Sequence, residues 1–272
     1  MCTAVLLLRP GHAWPLLFAA NRDEMSDRPW RPPARHWPDR PEVIAGVDEL
    51  AGGTWLGLNG HGLLAAVLNR MGSLGPKPGL RSRGELVLEA LDHAEAGAAA
   101  AALADLNPAA YRSFNLLIAD AERAFWLRHR GDEPPAAAAD GIEVFALPPG
   151  LSMLTAHDRN DRTKSPRIRN NLPRFEAAAA PDPETGDWTA WREILASRLY
   201  PADEGPQAAM TVAGDNGFGT ISASLIALPA PPKSLTEQPK HPIWLFAPGP
   251  SDRTDFTPVT VAPPHHPAPT GR

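Results

Sequence analysis

Two apolar segments separated by a turn open the chain and constrain its fold most strongly. Residues 3–8 are apolar, residues 9–12 read Arg-Pro-Gly-His, and residues 14–20 are apolar again. A Pro-Gly turn between two apolar runs is typical of a β-hairpin. If the chain turns near residues 10–12, facing residues have numbers that add to about 23, which predicts that Cys2 lies opposite Asn21 and its neighbours.

Cys2 is the only cysteine of the chain and directly follows the initiator methionine. If Met1 is removed, Cys2 carries both a thiol and a free α-amino group, which is a nucleophile with its own base. The thiol has a pKa of about 8.5 and the amine a pKa of about 7.7 to 8.0, so moving the proton from the sulfur to the amine costs roughly 1 kcal/mol. A nearby cation would offset this cost by stabilising the thiolate. The alternative is an inert small side chain near a terminus.

A cluster of polar and charged residues follows the second apolar segment, where the hairpin returns to Cys2. The cluster consists of Asn21, Arg22, Asp23 and Glu24. Arg22 is predicted to favour the thiolate of Cys2, and Asp23 to hold and orient the terminal ammonium group. The alternative is a solvated strand end with no chemical role.

Composition narrows the class of protein. The chain has 272 residues, a net charge of −5 and 43% hydrophobic residues, which predicts one domain over 1–250, followed by an irregular tail over 251–272. The charge gives no basic surface for nucleic acid, so a small-molecule ligand is expected. The first twenty residues lack the basic start of a signal peptide, and no segment has the roughly 18 apolar residues of a membrane span. A cytoplasmic protein is the simplest expectation.

Two more hairpins are predicted further along the chain. The first joins residues 52–58 to residues 63–70 through Asn59-Gly60, and the second joins residues 114–119 to residues 124–129. Asn69 ends the second strand of the former hairpin. Its amide could donate to a developing oxyanion, and a plain turn residue is the alternative.

A helix is predicted to begin at the capping box Ser82-Arg83-Gly84-Glu85 and to continue to Leu103. Arg81 and Arg83 flank its start. A phosphate or a carboxylate could bind there, and ordinary capping is the alternative.

The second half of the chain reads as further strands and helices. Strands are predicted at residues 142–146, 151–155, 217–228 and 242–246; helices at 166–179, interrupted at Pro173, and at 188–199. Most of the predicted strands belong to hairpins. The sequence therefore predicts antiparallel sheets covered by helices.

Several short motifs resemble those of the NRDE family, which includes the eukaryotic transport and Golgi organisation proteins. They are Cys2-Thr3, Asn21-Arg22-Asp23-Glu24, Gly52-Gly53-Thr54-Trp55-Leu56-Gly57, Leu68-Asn69-Arg70, Ser82-Arg83-Gly84 and Phe114-Asn115-Leu116-Leu117. The resemblance implies an α+β fold, the four-layer αββα sandwich of the N-terminal-nucleophile hydrolases, with two antiparallel sheets between helical layers.

The resemblance also implies roles for residues. In the choloylglycine hydrolases and penicillin acylases, residues placed like Cys2, Arg22, Asp23 and Asn69 carry the chemistry. Asn21, Glu24, Trp55 and Arg70 belong to the same motifs and are expected to bind or support.

The chain departs from the family pattern at two positions. Ala156 follows Leu154-Thr155, where the family usually has asparagine, so Asn160 is the candidate substitute. Ile221 follows Gly219-Thr220, where relatives often have arginine. A missing amide donor could cost about 3 to 4 kcal/mol of transition-state stabilisation.

Two functions are consistent with these features. The first is an amidohydrolase or acyltransferase that cleaves an amide or thioester of a hydrophobic acyl group and needs no cofactor. The second is a non-catalytic binding or trafficking module for haem, held by Cys2, His61 or His157, or for an acyl-coenzyme A or lipid, with Arg81 and Arg83 on the phosphates. A metal site is not expected, because His265-His266 lies in the tail and no His-Glu pair has helical ligand spacing.

Overall fold

Thirteen strands among the described residues form two antiparallel sheets. The structure is a computed structural model that describes residues 2–131, 141–213, 216–232, 234, 236 and 238–261. In spatial order, the first sheet contains β10 (Gly150–Leu154), β1 (Thr3–Leu8), β2 (Leu16–Met25), β11 (Phe218–Leu228), β12 (Ile243–Ala247) and β13 (Thr257–Pro258). The second contains β3 (Trp30–Ala34), β4 (Ile44–Asp48), β5 (Leu56–Leu58), β6 (Leu64–Asn69), β7 (Phe114–Ala119), β8 (Ala124–His129) and β9 (Glu143–Ala146).

Four α-helices cover the outer faces of these sheets. They are α1 (Gly84–Leu91), α2 (Ala96–Ala104), α3 (Pro166–Ala177) and α4 (Thr189–Leu195), and short 3₁₀ helices span Pro108–Ala110 and Pro206–Ala208. Helices α1 and α2 pack on the second sheet, and α3 and α4 pack on the first.

The alternation of side chains along the strands creates these layers. On β1 and β2, even-numbered residues such as Leu6 and Phe18 face the other sheet. Odd-numbered residues such as Val5 and Leu17 face α3 and α4. Because successive strand residues point to opposite faces, apolar runs without polar interruption are buried on both sides. The predicted four-layer αββα architecture is confirmed.

The predicted helices need several corrections. The helix from Ser82 to Leu103 is two helices, separated at residues 92–95. The capping box is wrong, because Arg83 is the N-cap residue without a side-chain cap and the Glu85 carboxylate accepts from Arg81. Helix α3 continues through Pro173, since Ile168, Leu172 and Phe175 hold it against the sheet despite the missing N–H.

Strands β3 and β4 were not predicted from the sequence. Strand β3 reads Trp-Arg-Pro-Pro-Ala and forms the edge of the second sheet, where a proline's missing N–H costs no ladder hydrogen bond. Helix α4 is also shorter than predicted and ends at Leu195.

Among the described residues, no helix is both long enough and apolar enough to span a membrane.

Candidate active site

The register of the first hairpin decides which side chains surround Cys2. Thr3 pairs with Asn21 and Leu8 with Leu16, so facing residues have numbers that add to 24. Extended by one residue, this register puts Arg22, a neighbour of Asn21, opposite Cys2, which is within the predicted stretch but one residue from Asn21 itself. A slip of one residue exchanges the two faces of a strand. It places Arg22 on the face of Cys2, towards the second sheet, and turns Asn21 and Asp23 towards the helices.

The thiol of Cys2 lies at the end of β1, partly buried against the core between the sheets. Its Sγ donates to the main-chain oxygen of Asp23 at 3.5 Å. Burial raises the pKa of this thiol, and the Asp23 carboxylate raises it further, while the Arg22 guanidinium acts in the opposite direction. Arg22 therefore acts on the thiol in the expected direction, but burial outweighs the cation and the thiol pKa is raised overall.

Arg22 is held by an aromatic ring and a carboxylate. Its guanidinium carbon lies 3.9 Å from the centroid of the Trp55 ring, and its Nη2 lies 3.6 Å from Oδ2 of Asp48. Arg22 is only 5% exposed, and its Nη1 makes no hydrogen bond to the residues that the structure describes. A buried guanidinium with an unused N–H beside a thiol can receive an anion.

Close backbone packing fixes Trp55 in this position. A Cβ built on Gly46 would lie 2.2 Å from the Trp55 ring, so only glycine leaves room for the indole. A Cβ on Gly53 would lie 2.6 Å from the carbonyl carbon of Gly84, whose oxygen accepts from the N–H of Thr54. The glycines of the two motifs thus join the Trp55 segment to the start of α1.

Asp23 is part of a buried network on the helix side of the sheet. Its Oδ2 accepts from Nη1 of Arg167 at 2.8 Å, and its Oδ1 accepts from the hydroxyl of Thr220 at 2.6 Å. The same Nη1 of Arg167 also donates to Thr3. Burial alone would raise the pKa of the Asp23 carboxyl, but the Arg167 guanidinium holds it below its usual range. The contact between Asp23 and the α-amino group of Cys2 stays a prediction.

A cavity of about 300 Å³ opens between the sheets beside Cys2. Asn69, at the end of β6, lines it, as the oxyanion hypothesis requires. Its remaining wall is partly apolar and partly charged; the lining includes Arg22, Glu24, Arg28, Asp48, Leu50, Trp55, Val67, Lys77, Leu80, Arg81, Arg83 and Arg112. A second cleft of about 20 Å³ lies behind Cys2, among Ala4, Phe18, Leu56 and Leu68.

Three of the predicted supporting residues have structural partners outside this cavity. Asn21 donates from Nδ2 to the carbonyls of Leu195 and Met210, and Arg70 donates to Oδ1 of Asn115 at 2.8 Å. Asn160, at a positive φ of 54°, accepts from the N–H of Met153 and donates to the carbonyl of Leu151. The prediction that Asn160 replaces a missing amide in the site is wrong, because both ends of its side chain cap β10.

The two arginines that were predicted to bind an anion at the start of α1 have different partners. Arg81 binds the carboxylates of Glu85 and Glu89, so its charge is compensated. Arg83 donates to the carbonyls of Ser73 and Ser113 and to the Ser73 hydroxyl, all of them neutral acceptors.

The candidate haem-binding histidines do not line the cavity of Cys2. His61 lies at the turn after β5 and lines a different cavity, while burial lowers the pKa of the half-buried His157 on the loop after β10. Cys2 is the only described lining residue of a type that ligates haem iron. Across the described ranges, no three His, Cys, Asp or Glu side chains lie close enough together to hold a metal ion.

Sequence reasoning missed Arg167, Arg112, Lys77 and Arg28. Arg167 stands far from the recognised motifs, and Arg112 lies two residues before the motif that begins at Phe114, but no local pattern marks either residue. Lys77 and Arg112 approach the site only because the loop over residues 71–80 folds across the open end of the sheets.

Comparison with known proteins identifies the family and the fold of the chain. The profile of the family described as Transport and Golgi organisation 2 matches residues 1–185. The chain is 35% identical over 142 residues to the Transport and Golgi organization protein 2 homolog of Bos taurus and 32% identical over 142 residues to that of Homo sapiens. Each match covers 48% of this chain and 49% of the relative, so the match spans about half the length of these relatives.

Among solved structures, the N-acylethanolamine-hydrolyzing acid amidase ortholog of Caenorhabditis elegans superposes with a TM-score of 0.56 at 11% identity. The superposition covers 86% of this chain and 95% of that one. The likeness concerns the fold alone, and it shows that the four layers form an N-terminal-nucleophile hydrolase-like sandwich.

Proposed function

We propose that this chain, which belongs to the Transport and Golgi organisation 2 family, is an acyl-transferring hydrolase whose nucleophile is the thiol of an amino-terminal Cys2. Its substrate is an amide or thioester of an acyl group, and no cofactor is needed. The observation that carries the proposal is the position of the Cys2 thiol, beside the buried Arg22 and at the wall of a cavity of about 300 Å³. The proposal requires that Met1 be removed.

The first step is the attack of Sγ on the substrate carbonyl. The thiol proton passes to the α-amino group of Cys2, the C–S bond forms, and the carbonyl oxygen becomes an oxyanion. Asn69, on the cavity wall, donates to this oxygen. Arg22 lies on the same strand face as Cys2, and its Nη1 makes no hydrogen bond to the described residues, so it can stabilise the negative charge as it moves from sulfur to oxygen.

The second step releases the products. The tetrahedral intermediate collapses, the bond to the leaving nitrogen or sulfur breaks, and the ammonium returns its proton to the leaving group. Water then attacks the acyl-enzyme with the α-amine as base, which frees the acid and restores the thiol. An amine in place of water gives acyl transfer.

The raised pKa of the Cys2 thiol is compatible with this sequence of steps. A neutral thiol needs a base at the moment of attack, and the α-amino group of the same residue supplies one without a second catalytic side chain. Arg22 then acts mainly on the developing negative charge. This role is consistent with the small effect of Arg22 on the pKa of the resting thiol.

The two cavities limit where the acyl group lies. The cleft of about 20 Å³ behind Cys2 has room for a group of about one water molecule. An acyl chain therefore lies in the larger cavity, against the apolar side chains of Leu50, Trp55, Val67 and Leu80.

Hydrolysis of a panel of acyl amides and acyl thioesters tests the proposal. Cys2→Ala should abolish turnover, and Asn69→Ala should lower kcat by about a hundredfold to a thousandfold, as for the loss of an oxyanion donor. Arg123→Gln, an exposed charge change on the β7–β8 turn, is the control and should leave turnover unchanged. Equal turnover by Cys2→Ala and the unmodified chain would contradict the mechanism.

The second candidate is a non-catalytic binding module for an acyl-coenzyme A, a lipid or haem. The burial that raises the pKa of the Cys2 thiol favours it, because a neutral thiol is a poor nucleophile. This candidate predicts that Cys2→Ala binds an acyl-coenzyme A as tightly as the unmodified chain. For haem, Cys2 would be the axial ligand, so a Soret shift on titration that Cys2→Ala loses would support that version.

A further inference from the structure

We infer that the loop side of the Cys2 cavity is a subsite for an anionic group, a carboxylate or a phosphate, that belongs to the substrate. The subsite consists of Lys77, Arg83 and Arg112, here called the cationic wall. This inference rests on the proposed function, since it assigns the charge of the molecule that Cys2 would attack.

The charges of the cavity do not balance. Six cationic side chains line it, against the carboxylates of Glu24 and Asp48. Arg22 and Arg28 lie within ion-pair distance of Asp48, and Arg28 also of Glu24. Arg81 is compensated from outside by Glu85 and Glu89. The cationic wall remains, and no carboxylate of the described residues forms an ion pair with it.

Arg83 and Arg112 are also held close together. Nη2 of Arg83 and Nη1 of Arg112 donate to the same acceptor, the carbonyl oxygen of Gly75, at 3.4 and 3.1 Å. Burial, and next the charge of Arg112, lowers the pKa of Arg83 to about 10. Two like charges on one carbonyl repel each other, and an anion between them removes that repulsion.

Backbone carbonyls hold the two guanidinium groups in place without neutralising them. Arg112 donates to the carbonyls of Gly72, Leu74 and Gly75, and Arg83 to that of Ser73. Every one of these acceptors belongs to the loop over residues 71–80. The charges are therefore fixed before a ligand arrives, which lowers the entropy cost of binding.

The cationic wall is within electrostatic reach of the nucleophile. It lines the same cavity as Cys2, and the pKa of Arg83 responds to the charges of Cys2 and Glu24. The start of α1, at Ser82 and Gly84, lines the cavity as well and adds its positive helix end. The buried Arg22, whose Nη1 makes no hydrogen bond to the described residues, lines the same cavity.

This arrangement selects a class of substrate. Guanidinium groups bind carboxylate and phosphate oxygens through paired N–H donors. The apolar wall of Leu50, Val67 and Leu80 receives the acyl chain, so the substrate is an amphipathic acyl compound whose remaining part carries a negative charge.

Alkylation of Cys2 tests the subsite without a known substrate. Cys2 is the only thiol of the chain, so iodoacetate and the neutral iodoacetamide report on one atom. The rate ratio of iodoacetate to iodoacetamide, divided by the same ratio for free cysteine, should exceed one. Lys77→Gln and Arg112→Gln should each lower it by roughly threefold to tenfold, and added salt should lower it too.

Three variants separate charge from structure. Arg123→Gln removes an equal charge far from the cavity and should not change the ratio. Arg112→Lys keeps the charge and changes the hydrogen bonds of the loop, so it should keep most of the ratio. Lys77→Gln removes a charge with no described hydrogen bond, so a disturbed loop cannot explain its effect. A ratio of one or below, or one that Lys77→Gln and Arg112→Gln leave unchanged, overturns the subsite.

Competition identifies the anion. Protection of Cys2 by inorganic phosphate alone assigns a phosphate-bearing substrate, and protection by succinate alone assigns a carboxylate. Protection by neither overturns the inference. If Cys2 reacts with neither reagent, the proposed nucleophile fails, and calorimetric titration with phosphate and succinate, compared between the unmodified chain and Lys77→Gln, decides the subsite on its own.

Discussion

Nη1 of Arg167 lies 2.8 Å from Oδ2 of Asp23, and both side chains are fully buried. Asp23 follows Arg22 on β2, whereas Arg167 is the second residue of α3. The family resemblance includes an arginine that often follows the Gly-Thr pair, where this chain has Ile221 after Gly219-Thr220. The guanidinium that pairs with Asp23 comes from helix α3, and Thr220 contributes its hydroxyl to the same carboxylate.

Arg167→Met should destabilise the fold strongly. It leaves the Asp23 carboxylate buried without its cation, and breaking a buried ion pair from one side costs about 3 to 5 kcal/mol. Chemical denaturation of this variant should show that loss. The control Arg169→Met, on the same helix but with a partly exposed ion pair to Glu204, should lose little.

The Asp23 pair should also make stability depend on acid. The pKa of Asp23 is lowered in the folded state, so its contribution is present above the unfolded pKa of about 3.9 and is lost as pH falls through the folded value. The difference in unfolding free energy between the unmodified chain and Asp23→Asn should be constant from pH 7 to about pH 5. It should shrink below about pH 4; a difference that grows there contradicts the assignment.

The pH dependence of Cys2 alkylation should follow the raised pKa of its thiol. Since only the thiolate reacts, the iodoacetamide rate should reach half its maximum at a higher pH than for free cysteine. Arg22→Gln removes a charge that lowers this pKa, so its midpoint should lie higher still. A midpoint below that of free cysteine would show that burial does not dominate the site.

Substitution of Asn21 should lower stability, whereas substitution of Asn69 should lower turnover. Asn21→Ala removes the N–H donors to Leu195 and Met210 inside the helix-facing core, and should cost about 1 to 3 kcal/mol of stability with little change in Cys2 alkylation. Asn69→Ala should leave the unfolding midpoint nearly unchanged and lower turnover. Loss of turnover by a stable Asn21→Ala variant would place Asn21 in the catalytic machinery.

Gly46→Ala should disturb the site from a distance. The new methyl group overlaps the Trp55 ring and forces it away from Arg22, with an expected loss of about 1 to 3 kcal/mol of stability. The pH at which the alkylation rate of Cys2 reaches half its maximum should also shift, because Arg22 loses its contact with the Trp55 ring. Gly141→Ala, where the methyl group meets open space, is the control and should change neither quantity.

Local patterns predicted the hairpins and the antiparallel sheets covered by helices, and the family resemblance implied their four-layer arrangement. The hairpins around Pro10-Gly11 and Asn59-Gly60 carry turn residues between apolar runs, and both appear in the structure. The double-sided apolar runs of β1, β6 and β7 likewise predict strands buried between layers. Strand β3 was missed because its two prolines, which an edge position tolerates, argue against a strand.

The site was predicted less completely because it depends on register and on distant segments. The approximate register of the first hairpin did not decide which neighbour of Asn21 shares the face of Cys2, and the structure puts Arg22 there. Lys77 comes from a loop, Arg112 from the segment before β7 and Arg167 from a helix, and only the folded chain brings them towards the first hairpin. Charged side chains with no periodic pattern give no sequence signal for such an approach.

Intact-mass spectrometry after incubation with an activated acyl thioester tests the central claim most directly. We predict a chain that begins at Cys2 and gains one acyl group, which maps to Cys2, disappears with time as water releases it, and does not form on Cys2→Ala. A chain that retains Met1 and gains no acyl group, or an adduct that forms equally on Cys2→Ala, would contradict the proposal that Cys2 is an amino-terminal nucleophile.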